Sequence, residues 1–243
     1  MGGAQIPVGT DLHMKTVAII AAAGKGTRMA TAAPKILTEV GLRPLLGHTL
    51  EAFEQARRVD EVVVVVAEAL ISAVARDVIN PHGFRKVTKI VPGGETRQES
   101  VFAGLQALDQ SGELVAIHDG ARPLITSQLI DLAVERAAEH GAAAVAVRPK
   151  DTIKRGDEQF LLTTLDRRML WQVQTPQVFR RDLIKRAHDL ALQRGYQGTD
   201  DASLVEALGE KVLVVEGSYE NVKVTTPEDL TFVEMVLRQR EDH

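Results

Sequence analysis

The chain has no cysteine, and only 4% of its 243 residues are aromatic. The absence of cysteine excludes disulfide frameworks, thiolate catalysis and cysteine-ligated zinc. The scarcity of aromatic residues argues against the stacking surfaces that bind single-stranded nucleic acid. A formal net charge of −4 argues against a general nucleic-acid surface as well. An anionic ligand would therefore have to be bound by a local cluster of basic residues.

Long apolar runs are also missing. No run approaches the roughly 20 residues that a membrane-spanning helix needs. The first fourteen residues lack the apolar stretch of a signal peptide. We predict that residues 1–14 form a flexible extension and that residues 15–241 form a single domain. Together these features predict a soluble, cytoplasmic protein that binds neither nucleic acid nor membrane.

Apolar, strand-like runs alternate with segments of helical period over the first 147 residues. The predicted strands span 16–22, 62–66, 86–91, 114–118 and 142–147, and the predicted helices span 45–56, 67–79, 96–108 and a segment that ends near Gly141. This alternation predicts an α/β fold, with an open, mostly parallel twisted sheet and helices on both of its faces. A closed eightfold β/α barrel is disfavoured because the alternation is interrupted after residue 150.

The interruption predicts an arm that leaves the domain body over residues 149–172. Within it, residues 151–164 have the pattern of two short polar strands around the turn Arg155-Gly156-Asp157. Beyond the arm, the sequence predicts a helix over 183–193, strands over 212–215 and 222–224, and a final helix. That helix begins at Thr226-Pro227, where proline suits the first helical position.

A glycine-rich segment, residues 22–28, follows the first strand. Open α/β sheets bind phosphates at this place, because backbone N–H groups in such a turn can point at anionic oxygens. Met29 stands where the dinucleotide fingerprint needs its third glycine, and no Ser or Thr follows a Gly-Lys pair as in the ATPase loop. Lys25, Arg28 and Lys35 instead supply three cations. The alternative interpretation is a tight turn with solvated charges.

A second candidate site, residues 118–123, follows the buried strand over 114–118. Asp119 has the position of an acid that holds Mg²⁺, which takes oxygen ligands and shares them with substrate phosphates. Arg122 is placed to bind a second anionic group, and we expect His118 to orient its neighbours. The alternative is that Asp119 is only a turn residue.

A third candidate is Lys223, which lies in an apolar alternation just before the final helix. Its alternative interpretation is the charge of an edge strand. Weaker candidates, each interpretable alone as a capping or surface group, are Gly93-Gly94-Glu95-Thr96-Arg97, Thr152, Lys154, Asp166-Arg167 and Thr199-Asp200.

These short motifs follow one another in the order typical of one enzyme family, from about residue 16 to 240. No single motif identifies that family, but the ordered set does. The set comprises Ala22-Ala23-Gly24-x-Gly26-x-Arg28-Met29 with Pro34-Lys35, Gly93-Gly94 with Arg97 and Ser100, His118-Asp119-x-Ala121-Arg122-Pro123, Asp151-Thr152-x-Lys154, Asp166-Arg167, Thr175-Pro176-Gln177, Thr199-Asp200 and Lys223-Val224-Thr225-x-Pro227-Glu228-Asp229. It resembles the 2-C-methyl-D-erythritol 4-phosphate cytidylyltransferases of the non-mevalonate isoprenoid pathway. Ile36, Glu95, Gly120 and Thr226 depart from the usual family pattern.

The resemblance implies a Rossmann-like nucleotidyltransferase fold and a homodimer built through the arm. It also implies Mg²⁺-dependent transfer of a cytidylyl group from CTP to a polyol phosphate, with release of pyrophosphate. Two alternatives stay open. A ribitol 5-phosphate cytidylyltransferase shares much of this motif set, and a catalytically silent nucleotide-binding regulator can use the same fold.

The resemblance also assigns residues to roles. The implied catalytic residues are Arg28, Lys35 and Lys223. The implied nucleotide-binding residues are Ala22, Ala23, Gly24, Gly26, Gly94, Glu95, Arg97 and Ser100. The implied acceptor-binding residues are Asp119, Arg122, Thr152, Arg167, Thr175, Thr199 and Lys223. Asp119 is the implied metal ligand, and Thr152 and Arg167 would come from the partner chain.

Overall fold

A computed structural model of the protein describes residues 14–24, 34–109 and 111–241. Its strands are β1 (Thr16–Ala21), β2 (Glu39–Val40), β3 (Arg43–Pro44), β4 (Glu61–Val66), β5 (Val87–Pro92), β6 (Leu114–Asp119), β7 (Ala142–Val147), β8 (Lys154–Gly156), β9 (Leu161–Thr164), β10 (Gln172–Arg180) and β11 (Leu213–Glu216). Its α-helices are α1 (Leu45–Gln55), α2 (Ile71–Val74), α3 (Asn80–His82), α4 (Arg97–Gln106), α5 (Ser127–His140), α6 (Arg181–Arg194), α7 (Asp201–Glu206) and α8 (Pro227–Glu241). The predicted extension over residues 1–14 lies almost wholly outside the described residues.

A seven-stranded sheet in the order β11-β7-β10-β6-β1-β4-β5 forms the centre of the fold. Its neighbouring strands are parallel except for β10, which runs antiparallel to both β6 and β7. The predicted open, mostly parallel sheet is confirmed, although the sequence pattern did not reveal β10. The chain builds outward from β1 to β4 on one side and has β6 on the other. In such sheets the carboxyl ends at the point of reversal form a crevice that binds ligands.

Both faces of the sheet are covered. Along β1, Ile19 packs in a core cluster with Leu105 of α4, whereas its neighbour Ile20 packs in a separate cluster with Phe53 of α1. Consecutive strand residues point to opposite faces, so a strand with apolar residues at both positions needs cover on each side. The continuous apolar runs are therefore explained by a sheet that is buried between two layers of helices.

The predicted start of α4 is confirmed in detail. Thr96 accepts a hydrogen bond from the Glu99 backbone N–H at 3.1 Å, and the Glu99 side chain accepts one from the Thr96 N–H at 2.9 Å. The predicted helix over 67–79 is instead an irregular helical segment over 68–82. It contains 3₁₀, α and π turns in succession. The segment ends at His82, where Gly83 is the C-cap and has a left-handed φ of 64°.

The arm forms a small separate sheet of β8 and β9, but two details of its prediction are wrong. The turn lies at 157–160 rather than at Arg155-Gly156-Asp157, because the Asp157 carboxylate accepts the N–H groups of Gln159 and Phe160 and fixes the turn there. The arm is also not polar throughout. Phe160, Leu161 and Leu162 are 65%, 77% and 59% exposed.

The predicted strand over 222–224 is wrong as well. This segment carries no strand ladder, and its backbone contact with the loop after β6 is the hydrogen bond from the Val224 N–H to the carbonyl of Ala121, at 2.8 Å. The segment therefore lies against the loop after β6 rather than in the sheet. The predicted final helix is confirmed and begins at Pro227. No helix within the described residues is long and apolar enough to cross a membrane.

Candidate active site

A cavity opens at the carboxyl ends of β1 and β6, where the sheet order reverses. It is walled by the segment after β1, the β5–α4 loop, the start of the loop after β6 and the extended segment before α8. Its lining residues are Ala21, Ala22, Ala23, Gly24, Lys35, Ile36, Gly94, Glu95, Thr96, Arg97, Ser100, Asp119, Ala121 and Lys223. The topology thus brings together residues from four separate parts of the sequence.

Asp119, the last residue of β6, is at the centre of the charges in this cavity. Its Oδ1 accepts a hydrogen bond from Arg97 Nε at 3.0 Å, and its Oδ2 lies 2.8 Å from Lys223 Nζ. Arg122 Nε lies 3.6 Å from the same Oδ2. One buried carboxylate therefore contacts three cations, which come from the start of α4, the loop after β6 and the extended segment before α8.

These charges decide the ionisation of Asp119. Burial alone would raise the pKa of its carboxyl, but the charges of Arg97, Lys223 and Arg122 outweigh burial and hold the pKa well below its usual range. Asp119 is therefore ionised at neutral pH. Burial also lowers the pKa of Arg122 from its usual value, against the attraction of Asp119. The guanidinium nevertheless stays charged at neutral pH, because arginine starts from a pKa above 12.

Arg97 makes a second ion pair behind the cavity wall. Its Nη1 donates to Oδ2 of Asp201, the first residue of α7, at 2.7 Å. Burial opposes the charge on this guanidinium, but the two carboxylates raise its pKa further above the usual value. The Asp201 side chain is 1% exposed, and its other oxygen accepts from His188 Nε2 at 3.2 Å.

His118 lies directly before Asp119 and is completely buried. Burial lowers the pKa of its imidazole to about 3, so the ring is neutral. The Arg122 carbonyl can only accept, so His118 Nε2 carries the proton and donates at 3.3 Å. Nδ1 then accepts from the Thr175 hydroxyl at 3.1 Å, and that hydroxyl oxygen accepts the Asp119 N–H at 3.1 Å. This chain fixes the loop after β6, as expected for a histidine that orients its neighbours.

Lys35 and Lys223 approach the cavity from the two segments outside the sheet. Lys35 begins a 3₁₀ turn, and its Nζ donates to the carbonyl of Val224 at 2.8 Å. Because Val224 is also bonded to Ala121, the extended segment is tied to both neighbouring loops. Arg122 adds a third tie by donating from Nη1 to the Asn221 carbonyl at 2.7 Å.

The opposite wall consists of small residues in close contact. A Cβ placed on Gly93 would lie 2.4 Å from Ala23 Cβ and 2.8 Å from Ser100 Oγ, so only glycine allows these two segments to approach. Ser100 is buried; its Oγ accepts the Gly94 N–H at 3.2 Å and donates to the Thr96 carbonyl at 2.9 Å. This wall can accommodate a flat ring against backbone.

The structure gathers most of the predicted site residues but not all of them. Gly26 and Arg28 lie outside the described residues. Thr175 lies next to Asp119 but is buried behind it and does not line the cavity. Thr199 is exposed before α7 and Thr152 is exposed on the arm; neither lines the cavity formed by the described residues. Arg167 is also outside the lining, and its Nη1 donates to the Lys150 carbonyl at 2.7 Å.

Sequence reasoning missed three residues that organise the site: Asp201, His188 and Asn221. Asn221 is buried, and its side-chain amide donates to Gln174 Oε1 and to the Thr175 carbonyl. The one available signal was the pair of acids at 200 and 201, of which only the first entered the candidate motif.

The residue of this site that could hold a Mg²⁺ ion is Asp119, whose two oxygens also contact Arg97 and Lys223. Within the described residues no group of three His, Asp or Glu side chains converges, so a metal site made by protein ligands alone is not built there. Mg²⁺ commonly binds through one or two carboxylates plus substrate phosphates. Asp119 has the required chemistry, since it is ionised and lines the cavity.

The comparisons with known proteins identify the family. The family model described as IspD, 2-C-methyl-D-erythritol 4-phosphate cytidylyltransferase, matches residues 16–239. The chain belongs to this family. Relatives of that name from Pelotomaculum thermopropionicum and Halalkalibacterium halodurans are 49% and 50% identical over 228 residues each. These alignments cover 93% and 94% of this chain and 96% and 99% of the relatives.

Solved structures of the cytidylyltransferase family agree with the fold. The 4-diphosphocytidyl-2C-methyl-D-erythritol synthase of Anaerococcus prevotii has a TM-score of 0.81 at 33% identity, covering 93% of this chain and 97% of that one. The cytidylyltransferase of Thermus thermophilus has a TM-score of 0.74 at 33% identity, covering 93% and 100%. The Rossmann-like nucleotidyltransferase fold implied by the family resemblance is thereby confirmed.

Proposed function

We propose that the protein transfers a cytidylyl group from CTP to 2-C-methyl-D-erythritol 4-phosphate, in the synthesis of isoprenoid precursors. The products are 4-diphosphocytidyl-2-C-methyl-D-erythritol and pyrophosphate. The observation that carries this proposal is the group of cations held around Asp119 at the crevice of the sheet, in a chain of this family. A catalytically silent regulator could bind the nucleotide with the same cations, and release of pyrophosphate distinguishes the two.

The chemistry needs positioning and charge more than a strong base. The acceptor phosphate attacks the α-phosphorus of CTP, a new P–O bond forms, and the bond to the bridging oxygen breaks to release pyrophosphate. The acceptor phosphate is mostly ionised near pH 7, because its second pKa is about 6. What must be overcome is the repulsion between two anions and the charge that develops on the leaving group.

The basic residues of the cavity supply this stabilisation. Lys35, Lys223 and Arg97 all line it, so a polyphosphate in the cavity meets several cations at once. We assign Lys35 and Lys223 to the reacting phosphates and Arg122 to the acceptor. Mg²⁺ held by Asp119 and by nucleotide phosphates would neutralise part of the charge on the leaving pyrophosphate.

The wall formed by Ala22, Ala23, Gly93, Gly94 and Ser100 suits the cytosine ring. Ala22 is buried and Gly93 leaves no room for a side chain, so the slot is narrow. We expect a purine to overfill it. A site that pairs the exocyclic amine of cytosine would also reject UTP, since the wrong group leaves buried polar atoms unpaired.

Pyrophosphate release tests this function. CTP with methylerythritol phosphate and Mg²⁺ should turn over, whereas ATP and GTP should be poor substrates. Assays with ribitol 5-phosphate as the acceptor distinguish this function from that of a ribitol 5-phosphate cytidylyltransferase, which shares many of the motifs. Equal turnover with ATP and CTP, or faster turnover with the ribitol compound, would contradict the assignment.

We also propose that the protein is a homodimer that assembles through the arm. A two-stranded hairpin is marginally stable alone in water, and Phe160, Leu161 and Leu162 are largely exposed on this one. Contact with a second chain would bury them. At the base of the arm, Arg148, Lys150, Arg167 and Arg168 surround one open pocket and would supply cations to a partner's acceptor site.

Mixed dimers test whether the site is shared. Lys35→Ala and Arg167→Ala chains should each be inactive, and exchange of subunits should return part of the activity, because some hybrid dimers hold one intact site. Fluorescence energy transfer between labelled chains monitors the exchange. If exchange occurs without recovery, Arg167 does not serve the partner's site.

A further inference from the structure

The mechanism above leaves the buried carboxylate of Asp201 without a role, although only one side chain separates it from the cavity. Arg97 lines the cavity and bonds to Asp201 at 2.7 Å and to Asp119 at 3.0 Å. Asp201 is 1% exposed and does not line the cavity. Any effect of Asp201 on a bound substrate must therefore pass through Arg97.

Asp201 is itself held in place. The carboxylate can only accept, so His188 donates its Nε2–H to Asp201 Oδ1, at 3.2 Å. The His188 ring is buried on α6 and stacks on Phe102 of α4, with ring centroids 6.1 Å apart and planes 20° apart. Asp201 begins α7, whose cap Asp200 accepts the Ser203 N–H at 3.0 Å. The anchor of Arg97 is thus a buried group with hydrogen bonds of its own.

Two anchors determine the orientation of the Arg97 guanidinium. Arginine has a long side chain with many rotamers, and a bond at Nε alone would leave its plane free to turn. The second bond, at Nη1, fixes that plane. Among the described residues the hydrogen bonds of this guanidinium go to Asp119 and Asp201. Three of its five N–H groups are therefore left for a ligand in the cavity.

We propose that Asp201 is a positioning residue for nucleotide binding, which holds Arg97 so that its remaining N–H groups bind the phosphates of CTP. The inference rests on the proposed function, since it takes CTP as the ligand of the cavity. Asp201 touches no substrate. Its removal should therefore weaken CTP binding only while Arg97 is present.

A double-mutant cycle tests this dependence, with the Kd of CTP measured by calorimetry and kcat/KM by pyrophosphate release. Asp201→Asn should raise the Kd about 10-fold, as expected for a misplaced binding group. Arg97→Ala should raise it about 100-fold, and the double variant should match Arg97→Ala, because coupled residues are not additive. The KM of the acceptor should stay within about twofold in Asp201→Asn. An additive loss of about 1,000-fold in the double variant would overturn the proposal.

Asp189→Asn is the matched control, since it makes the same chemical change at an exposed site on α6 and should leave the Kd unchanged. If Asp201→Asn does not fold, Asp201→Glu replaces it with the buried charge retained; if Arg97→Ala does not fold, Arg97→Gln replaces it, since glutamine carries no cation. The criterion is the same for each pair. The binding readout does not depend on turnover, so wild-type protein that binds CTP without releasing pyrophosphate would refute the proposed function alone.

Discussion

Arg97 and Lys223 both pair with Asp119, but removing Arg97 should mainly lower the stability of the protein, whereas removing Lys223 should mainly lower its turnover. Lys223 has a side chain that is 41% exposed, and without it Asp119 keeps Arg97 and Arg122. Exposed ion pairs contribute about 0.2–1 kcal/mol. Arg97 is 26% exposed and pairs with two carboxylates, of which Asp201 is 1% exposed. Its removal leaves Asp201 with His188 as its only side-chain partner among the described residues.

The magnitudes follow from this difference. Removing one partner of a buried pair costs about 3–5 kcal/mol. In a chain of this size 1 kcal/mol shifts Tm by roughly 2–4 °C. Arg97→Ala should therefore lower Tm by roughly 6–20 °C, and Lys223→Ala by at most about 4 °C. Lys223→Ala should instead lower kcat about 100-fold or more, as does the loss of a single transition-state donor.

Thermal unfolding followed by circular dichroism and pyrophosphate release, run on the same preparations, measure both effects. Lys223→Arg is a useful companion variant, since a planar guanidinium should restore the charge without restoring full turnover. Equal losses of Tm in the two alanine variants would refute the distinction between a buried anchor and a half-exposed reactive cation. Normal turnover by a folded Lys223→Ala protein would remove Lys223 from the mechanism.

Two further predictions concern groups behind the cavity. The pKa of His118 falls to about 3 on folding. As the pH falls below about 6.5, the unfolded chain therefore takes up a proton that the folded chain does not. The free energy of unfolding should fall by about 2 kcal/mol between pH 6.5 and 5. Urea unfolding at the two pH values should show that His118→Asn lacks this loss and that exposed His140→Asn keeps it. A His118→Asn protein that loses as much stability as the wild type over this pH range would contradict the buried neutral imidazole. Gly93→Ala should lower the free energy of unfolding by about 1–3 kcal/mol and weaken CTP binding, because the added methyl would lie 2.4 Å from Ala23 Cβ. If calorimetry finds a normal Kd for CTP, this wall does not bind the base.

The parts of the fold that depend on local sequence could be predicted. β1 and β4 are apolar at every internal position because both faces of the sheet are covered. The first turn of α4 follows from Thr96 and Glu99 alone. The convergence of Asp119 with the segment after β1 follows from topology, since the carboxyl ends of adjacent parallel strands lie at one edge.

β10 shows why other parts could not be predicted. Its sequence places buried polar residues where a core strand would have apolar ones. Gln174 and Thr175 are buried because Asn221 and His118 supply their hydrogen bonds, and Gln177 bonds to Asp200. Those partners lie 23 to 57 residues away in sequence. A pattern of alternating polarity cannot show that such groups are satisfied in the interior.

The same reasoning applies to Asp201, which is 104 residues from its partner Arg97. As a sequence feature it is one of two adjacent acids at the start of a short helix, which is typical of a capping site. Its role appears only when α6 and α7 dock beside α4 and bring His188 and Arg97 to its two oxygens. Likewise, the alternation of apolar and polar residues at 222–224 is typical of a strand. The segment instead lies outside the sheet and places Lys223 next to Asp119.

Asp119 explains how a chain of net charge −4 can hold several cations close together. Arg97, Arg122 and Lys223 would repel one another at these distances, and all three lie outside the strands of the sheet. A buried carboxylate at their centre offsets that repulsion before any substrate is present. A polyphosphate that enters the cavity then meets donors already in place, which is the arrangement that makes electrostatic stabilisation effective. The acid in this site thus serves the cations around it, whether or not it also holds a metal ion.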